Sequence, residues 1–300
     1  MNQVALFGAI EIGLIYGLVA LGVFLSFRVL NFPDLTVDGS FPLGAAVAAS
    51  AIVNGTNPYF ATLLAILAGA LAGLVTALLN VRFRILHLLA SILTMIALFS
   101  INLRIMGRPN VALLGEPTVL TPFEGLGVPS MLLRPALVGI AVALVMLLLT
   151  RFLASDYGLA LRATGANPRM ARAQGIATGR AICLGMALSN ALVALAGALF
   201  AQTNGFADIT IGTGTIVVGL AAVIIGETLL PARRLGAAVV ATVLGSILYR
   251  LAVAFALNAH VLGLEASDLN LVTAVLVGVA LVLPGARDPL RTLLGRRARA

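Results

Sequence analysis

L-V-A-L at 18–21 followed by F-P-D-L-T-V at 32–37 comes back as L-V-A-L at 192–195 followed by F-A-D-I-T-I at 206–211. After a one-residue slip the correspondence runs on, with Gly39, Ser40 and Gly44 answering Gly214, Thr215 and Gly219. A polar signature repeated inside apolar surroundings is the pattern of a membrane transporter made of two related halves whose helices are interrupted at the same place.

Composition points the same way. With 61% hydrophobic residues, 10% charged residues and a mean hydropathy of +1.10, the 300-residue chain is no soluble domain. Apolar runs at 3–27, 42–53, 59–80, 86–103, 135–153, 178–201, 214–228, 236–257 and 269–284 predict an all-α polytopic membrane protein of about nine transmembrane helices, within a range of about eight to ten. The first run lacks a basic leader and carries Glu11, so it reads as a span and not as a cleaved signal. The single Cys183 leaves no disulfide within the chain.

All 19 basic residues are arginines. With the N-terminus outside, Arg28, Arg82, Arg84, Arg151, Arg162, Arg169, Arg172, Arg180, Arg233, Arg234 and the arginines of the tail fall in the cytoplasm, against Arg104, Arg108 and Arg134 outside. Basic residues scattered over loops in this way form no nucleic-acid footprint. The chain 1–300 therefore reads as one transmembrane domain. It comprises repeat A (3–103), a linking span (135–153), a cytoplasmic loop (155–176), repeat B (178–284) and a basic cytoplasmic tail (285–300). An offset of five spans makes the two repeats run in opposite directions, an inverted topology. The Asp34 segment is then expected toward the cytoplasmic face and the Asp208 segment toward the outside.

In both halves the signature leads into a short apolar run with a helix start signal, Asp38-Gly39-Ser40 before Phe41-Pro42 and Gly212-Thr213-Gly214-Thr215 before Ile216. These read as broken helices. Non-helical backbone at membrane depth persists only where protein or a water-filled cavity satisfies it, so segments 31–41 and 205–215 are candidate pathway walls. Asn31, Asp34, Asp38, Ser40, Asp208, Thr213 and Thr215 are the candidate pathway residues, joined by Glu11, an ionisable group inside a span. The alternative is that both segments are surface loops whose carboxylates face water, and that Glu11 makes an interhelical polar contact. Arg250, inside the eighth span, reads as an anchor to a neighbouring helix. No His, Cys or carboxylate cluster has metal-ligand spacing and no Ser/His/Asp arrangement stands out. A chain without lysine has no G-x4-G-K-[ST] loop, so it is not itself an ATP-hydrolysing enzyme.

The segment S-D-Y-G-L-A-L-R-A-T-G-A-N-P-R-M-A-R-A-Q-G-I at 155–176 predicts two short helices, with a break at Gly165, a cap at Asn167, Pro168 in the first turn and a stop at Gly175. Its arginines alternate with Tyr157, Leu159, Leu161 and Met170. That mixture suits docking on a partner, and equally an amphipathic helix lying on membrane lipid.

Three passages resemble the branched-chain amino acid and sugar ABC permease family. I-Y-G-L-V-A-L-G-V-F-L-S-F-R-V-L-N-F at 15–32 is similar to its first-span signature. Residues 157–176 resemble its cytoplasmic coupling loop, and G-L-A-A-V-I-I-G-E at 219–227 its A-A-V-x-x-G-G block. The resemblance implies a bacterial inner-membrane permease subunit that pairs with a second permease copy, two ATP-binding subunits and an extracytoplasmic solute-binding protein. It places ATP and Mg on the partner subunits and no cofactor on this chain. It also implies that Gly158, Arg162, Ala163, Asn167, Gly175 and Ile176 dock on the ATPase. The family's N-F-A-H-G is N-F-P-D-L-T-V-D-G here, a form resembling a branch associated with aromatic amino acid uptake, and the second glycine of the G-G block is Glu227. A self-sufficient carrier in which Glu11, Asp34 or Asp38 moves protons fits the inverted repeats and broken helices equally well.

Overall fold

The computed structural model describes residues 3–126, 129–230, 234–258 and positions 274, 275 and 278. Helix α1 (Gln3–Val23) runs on without interruption into a π-helical segment, Phe24–Val29, where Ser26 Oγ donates to the carbonyls of Gly22 and Val23. A turn then leads to α2 (Val37–Val53), α3 (Pro58–Val81) and α4 (His87–Met106). Strand β1 (Asn110–Ala112) and a 3-10 turn, Thr121–Leu126, precede α5 (Ser130–Ala154). The short helices α6 (Asp156–Ala166) and α7 (Pro168–Ala173) feed α8 (Thr178–Asn204). Strand β2 (Phe206–Asp208), α9 (Thr215–Leu229) and α10 (Leu235–Asn258) complete the described fold.

Among the described residues six helices are long and apolar enough to cross a bilayer: α1 with its π extension, α3, α4, α5, α8 and α10. Helices α2 and α9, at 17 and 15 residues, fall short. The apolar runs at 42–53 and 214–228 are thus half-helices and not full spans. The run at 269–284, save positions 274, 275 and 278, and the tail 285–300 lie outside the described residues, so the expected nine resolve into six spans, two half-helices and one undescribed run.

The halves pack into one another. α1 and α8 run antiparallel, Tyr16 meeting Phe200 at one end while Ser189 Oγ donates to the Gly22 carbonyl (2.7 Å) further along. α1 packs against α10 and α8 against α3, while α2 lies on α3 and α8, and α9 on α10 and α1. Exchanging the halves maps each of these pairings onto another, which is what two inverted-topology repeats produce. Between helices in lipid there is little hydrophobic drive, so close backbone approach at small residues holds the bundle together. A Cβ on Gly197 would strike the Phe41 carbonyl, and one on Gly245 the Ala222 carbonyl. At the periphery Leu63, Leu67 and Leu71 of α3 and Leu144 and Leu148 of α5 expose a leucine face of the kind that lipid covers.

Adding a branched side chain at the α2–α8 crossing, Gly197→Val, is expected to cost about 1–3 kcal/mol through overpacking. Gly8→Ala, where an added Cβ meets nothing within 4 Å, should stay within about 0.5 kcal/mol. Thermal unfolding of the two purified variants in detergent checks the contrast.

Candidate functional site

The repeated signature folds the same way twice. Asp34 Oδ1 accepts from the Thr36 amide at 2.9 Å, and Asp208 Oδ1 from the Thr210 amide at 2.8 Å, so each Asp closes a turn onto the residue two ahead. Their surroundings then diverge. Asp34 is fully buried, and its Oδ2 accepts from Asn190 Nδ2 (2.8 Å); Asn190 Oδ1 in turn accepts from Ser40 Oγ (2.7 Å). Thr36 Oγ1 shares a 2.8 Å hydrogen bond with Thr76 of α3. A buried carboxylate is tolerable when each oxygen has a donor, and here each has one. Asp208 lies at the opposite face from α6 and α7, on the β1–β2 ladder, where Asn110 stands across from it. Burial raises its carboxyl, but hydrogen bonds from the Thr210 hydroxyl and amide and from Asn110 outweigh that and hold it below the usual carboxylate range.

Asp38 joins the two segments. Its Oδ1 accepts from the Ile216 amide at 2.7 Å and its Oδ2 from the Gly214 amide at 3.2 Å, which caps the first turn of α9 from the first turn of α2. Gly214 is left-handed (φ 79°), and a Cβ on Gly212 would strike the Asp38 carbonyl, so the approach requires glycines there. The junction sits beside Asn190, near the midpoint of α8. Two half-helix N-termini, each with a partial positive charge, therefore meet inside the bundle with a carboxylate between them. This corrects the expectation for Asp34 alone, whose turn sits at mid-depth beside Asn190 and not toward the face of α6 and α7, while the segment that follows Asp208 reaches inward from the opposite face to meet it. After α1 reaches Val29 the chain climbs back beside α8 before α2 begins, and the 205–214 link descends to meet it.

A cavity of about 380 Å³ opens beside this junction. Of the residues expected to line a pathway, Asp38 and Thr213 border it. Ser40 and Thr215 are buried in the junction with Asp34, and Asp208 stands at the far face. Asn31 is exposed and left-handed (φ 54°) at the end of the π segment. Glu11 is half-buried on α1, with Arg134 as its electrostatic partner. Arg250 stacks over the Tyr16 ring, 4.3 Å from its centroid, an anchoring contact between α10 and α1. Much of the remaining cavity wall comes from α4, chiefly Met95, Phe99, Ser100 and Asn102, with Pro42 of α2 and with Ile209 and Thr210. Sequence reading passed over α4 and Asn190. The available signal was an amide in the middle of an apolar helix, which needs a partner there as an ionisable group does.

The 155–176 segment forms α6 and α7 as two capped helices. Ser155 Oγ accepts from the Gly158 amide, and Asn167 Oδ1 from the Arg169 and Met170 amides (3.1 Å each). The helix does not break at Gly165 but runs to Ala166. Gly165 instead lets α6 press on the Val29 carbonyl, where a Cβ would collide. Gly158 is buried against Leu153, Arg162, Ala163 and Ile176 are half-buried, and Asn167 and Gly175 are exposed. Tyr157, Leu159 and Met170 present exposed apolar surface.

Residues 5–283 match the model of a protein family described as the branched-chain amino acid transport system permease component. The chain belongs to this family. The permease is 40% identical over 265 residues, 88% of its length and 86% of the relative's, to a tyrosine transport system permease protein of Clostridioides difficile (strain R20291). It is 36% identical over 189 residues, 63% of its length and 65% of the relative's, to an uncharacterized protein of Rickettsia prowazekii (strain Madrid E). Its fold is similar to that of PsaBC from Streptococcus pneumoniae, solved in complex with Fab, with a TM-score of 0.52 at 17% identity over 93% of this chain and 90% of the other. It is thus a multi-pass ABC-type permease, with its likeness on the aromatic amino acid side of the family.

Asp38→Ala should leave the Gly214 and Ile216 amides without an acceptor at a cost of about 1–2 kcal/mol. Amide hydrogen exchange in the first turn of α9 is expected to accelerate while exchange in α8 changes little.

Proposed function

We propose that this permease is the membrane-spanning subunit of an ATP-driven importer for an amino acid, with an aromatic amino acid as the preferred cargo. Two copies would form the translocation unit in a bacterial inner membrane, with the C-terminus cytoplasmic. Two ATP-binding subunits, which carry ATP and Mg, would engage α6 and α7, and a solute-binding protein would deliver cargo at the opposite face. The observation that carries this reading is the projecting α6–α7 pair: capped at both starts, packed by Gly158 and Gly165 onto the bundle, and carrying exposed apolar residues beside Arg169 and Arg172. A surface of that kind suits a protein partner better than water. The cargo follows from the tyrosine transport name of the relative with 40% identity. Alternating access would then come from nucleotide-driven movement of α6–α7 transmitted to the junction of α2 and α9. In this reading Asp34 is the fastener of that junction, its oxygens taken by the Thr36 and Asn190 donors, and not a proton carrier.

The test is co-purification of the tagged permease with the ATP-binding subunit encoded beside it, from mild detergent. Arg162→Ala combined with Asn167→Ala should release that subunit while the permease stays monodisperse; the lost cap alone costs about 1 kcal/mol, too little to unfold the bundle. A partner-free permease that still takes up solute in response to a proton gradient would instead establish the carrier reading.

A further inference from the structure

Asn102 lies in the next-to-last turn of α4 with no solvent exposure, and the residue borders the cavity beside Asp38. Its amide nitrogen donates to the Gly39 carbonyl (3.2 Å), which fixes which end is which, and its Oδ1 has no hydrogen-bond partner. A buried acceptor left without a donor costs of the order of 1–3 kcal/mol, so its presence calls for a ligand that supplies one. The other polar groups around the cavity have the same bias. Asp38 presents a carboxylate whose oxygens have further lone pairs beyond those given to the α9 amides. Thr210, which also borders the cavity, spends its hydroxyl proton on Asp208 Oδ1 (2.6 Å), so its oxygen is left as an acceptor. Among the described residues no Arg or His borders the space; its remaining surface is mostly apolar, from Pro42, Met95, Ile96, Phe99 and Ile209.

We propose that this cavity is a station in the pathway that holds the ammonium group of the cargo, with Asn102 Oδ1, the Asp38 carboxylate and Thr210 Oγ1 as acceptors for its three N–H bonds and the Met95–Phe99 face for its side chain. Three acceptors match three ammonium protons, the carboxylate supplies the counter-charge, and about 380 Å³ is within the size range of small-molecule sites. The inference rests on the reading of the chain as an amino acid permease and adds the group of the cargo that is recognised and the side chains that recognise it. Asn102 thereby becomes a specificity residue that selects amines over acids of the same shape.

The purified full-length permease in lipid nanodiscs is titrated with L-tyrosine, with tyramine, which keeps the amine and lacks the carboxylate, and with 3-(4-hydroxyphenyl)propionate, which lacks the amine; binding is read from the rise in unfolding temperature. L-Tyrosine and tyramine should stabilise the protein and the des-amino acid should not, and Asn102→Leu should weaken the two amines about tenfold, the loss of one hydrogen bond to a charged group. Equal stabilisation by the des-amino acid, or none by any ligand at millimolar concentration, overturns the proposal; the comparison of ligands on the wild-type protein stands even where the variant does not fold. Uptake of labelled L-tyrosine by cells expressing the permease with its neighbouring subunits is measured in parallel. Uptake with no preference for amines in binding refutes the station alone, whereas absence of uptake of any amino acid refutes the functional reading beneath it.

Discussion

The carboxylate of Asp38 is the contact on which the centre of this permease depends. Two helix N-termini brought together inside a bundle leave several amides without intrahelical acceptors and two partial positive charges face to face. In an apolar setting each unsatisfied amide costs several kcal/mol, so the arrangement needs an internal acceptor of negative charge. Asp38 is that group, seated on one half-helix and bonded to the amides of the other. Because it is there, α2 and α9 can begin at the junction, the non-helical links can enter the bundle, and a cavity can open beside them.

The same aspartate-closed turn serves two ends. At Asp34 it is buried and wired through Asn190 to Ser40, fastening α2 to α8; at Asp208 it is wetter and fastens the β1–β2 ladder at the far face. What separates them is not the local fold but the polarity of what surrounds it. In the proposed transporter this asymmetry gives one rigid joint and one joint that can loosen. The route from the docking helices is short: α6 presses through Gly165 on the end of the π segment, and α8, which starts just after Ile176, carries Asn190 directly to the Asp34 turn.

Glu227, which closes the G-L-A-A-V-I-I-G-E passage, pairs with Arg28 at 2.7 Å. At 65% and 34% side-chain exposure the pair adds about 0–1 kcal/mol at most, so its role is to register α9 against the π segment more than to stabilise it. A carboxylate at the end of α9 thus has a partner in space that lies far away in the chain.

Hydropathy, the repeat and the caps determined much from the sequence alone: a membrane protein, two halves of opposite orientation, interrupted helices after Asp34 and Asp208, and the Asn167–Pro168 start of α7. Each is a local property, because burial in lipid, turn closure and capping are decided within a few residues. The depth to which each broken segment returns, the meeting of α2 with α9, and the entry of Asn102 and Thr210 into one cavity were decided only by tertiary structure. They depend on bonds between residues such as Asp38 and Ile216 that no window of sequence contains, and an apolar run of 15 or 17 residues reads the same whether it nearly crosses the bilayer or stops at its middle.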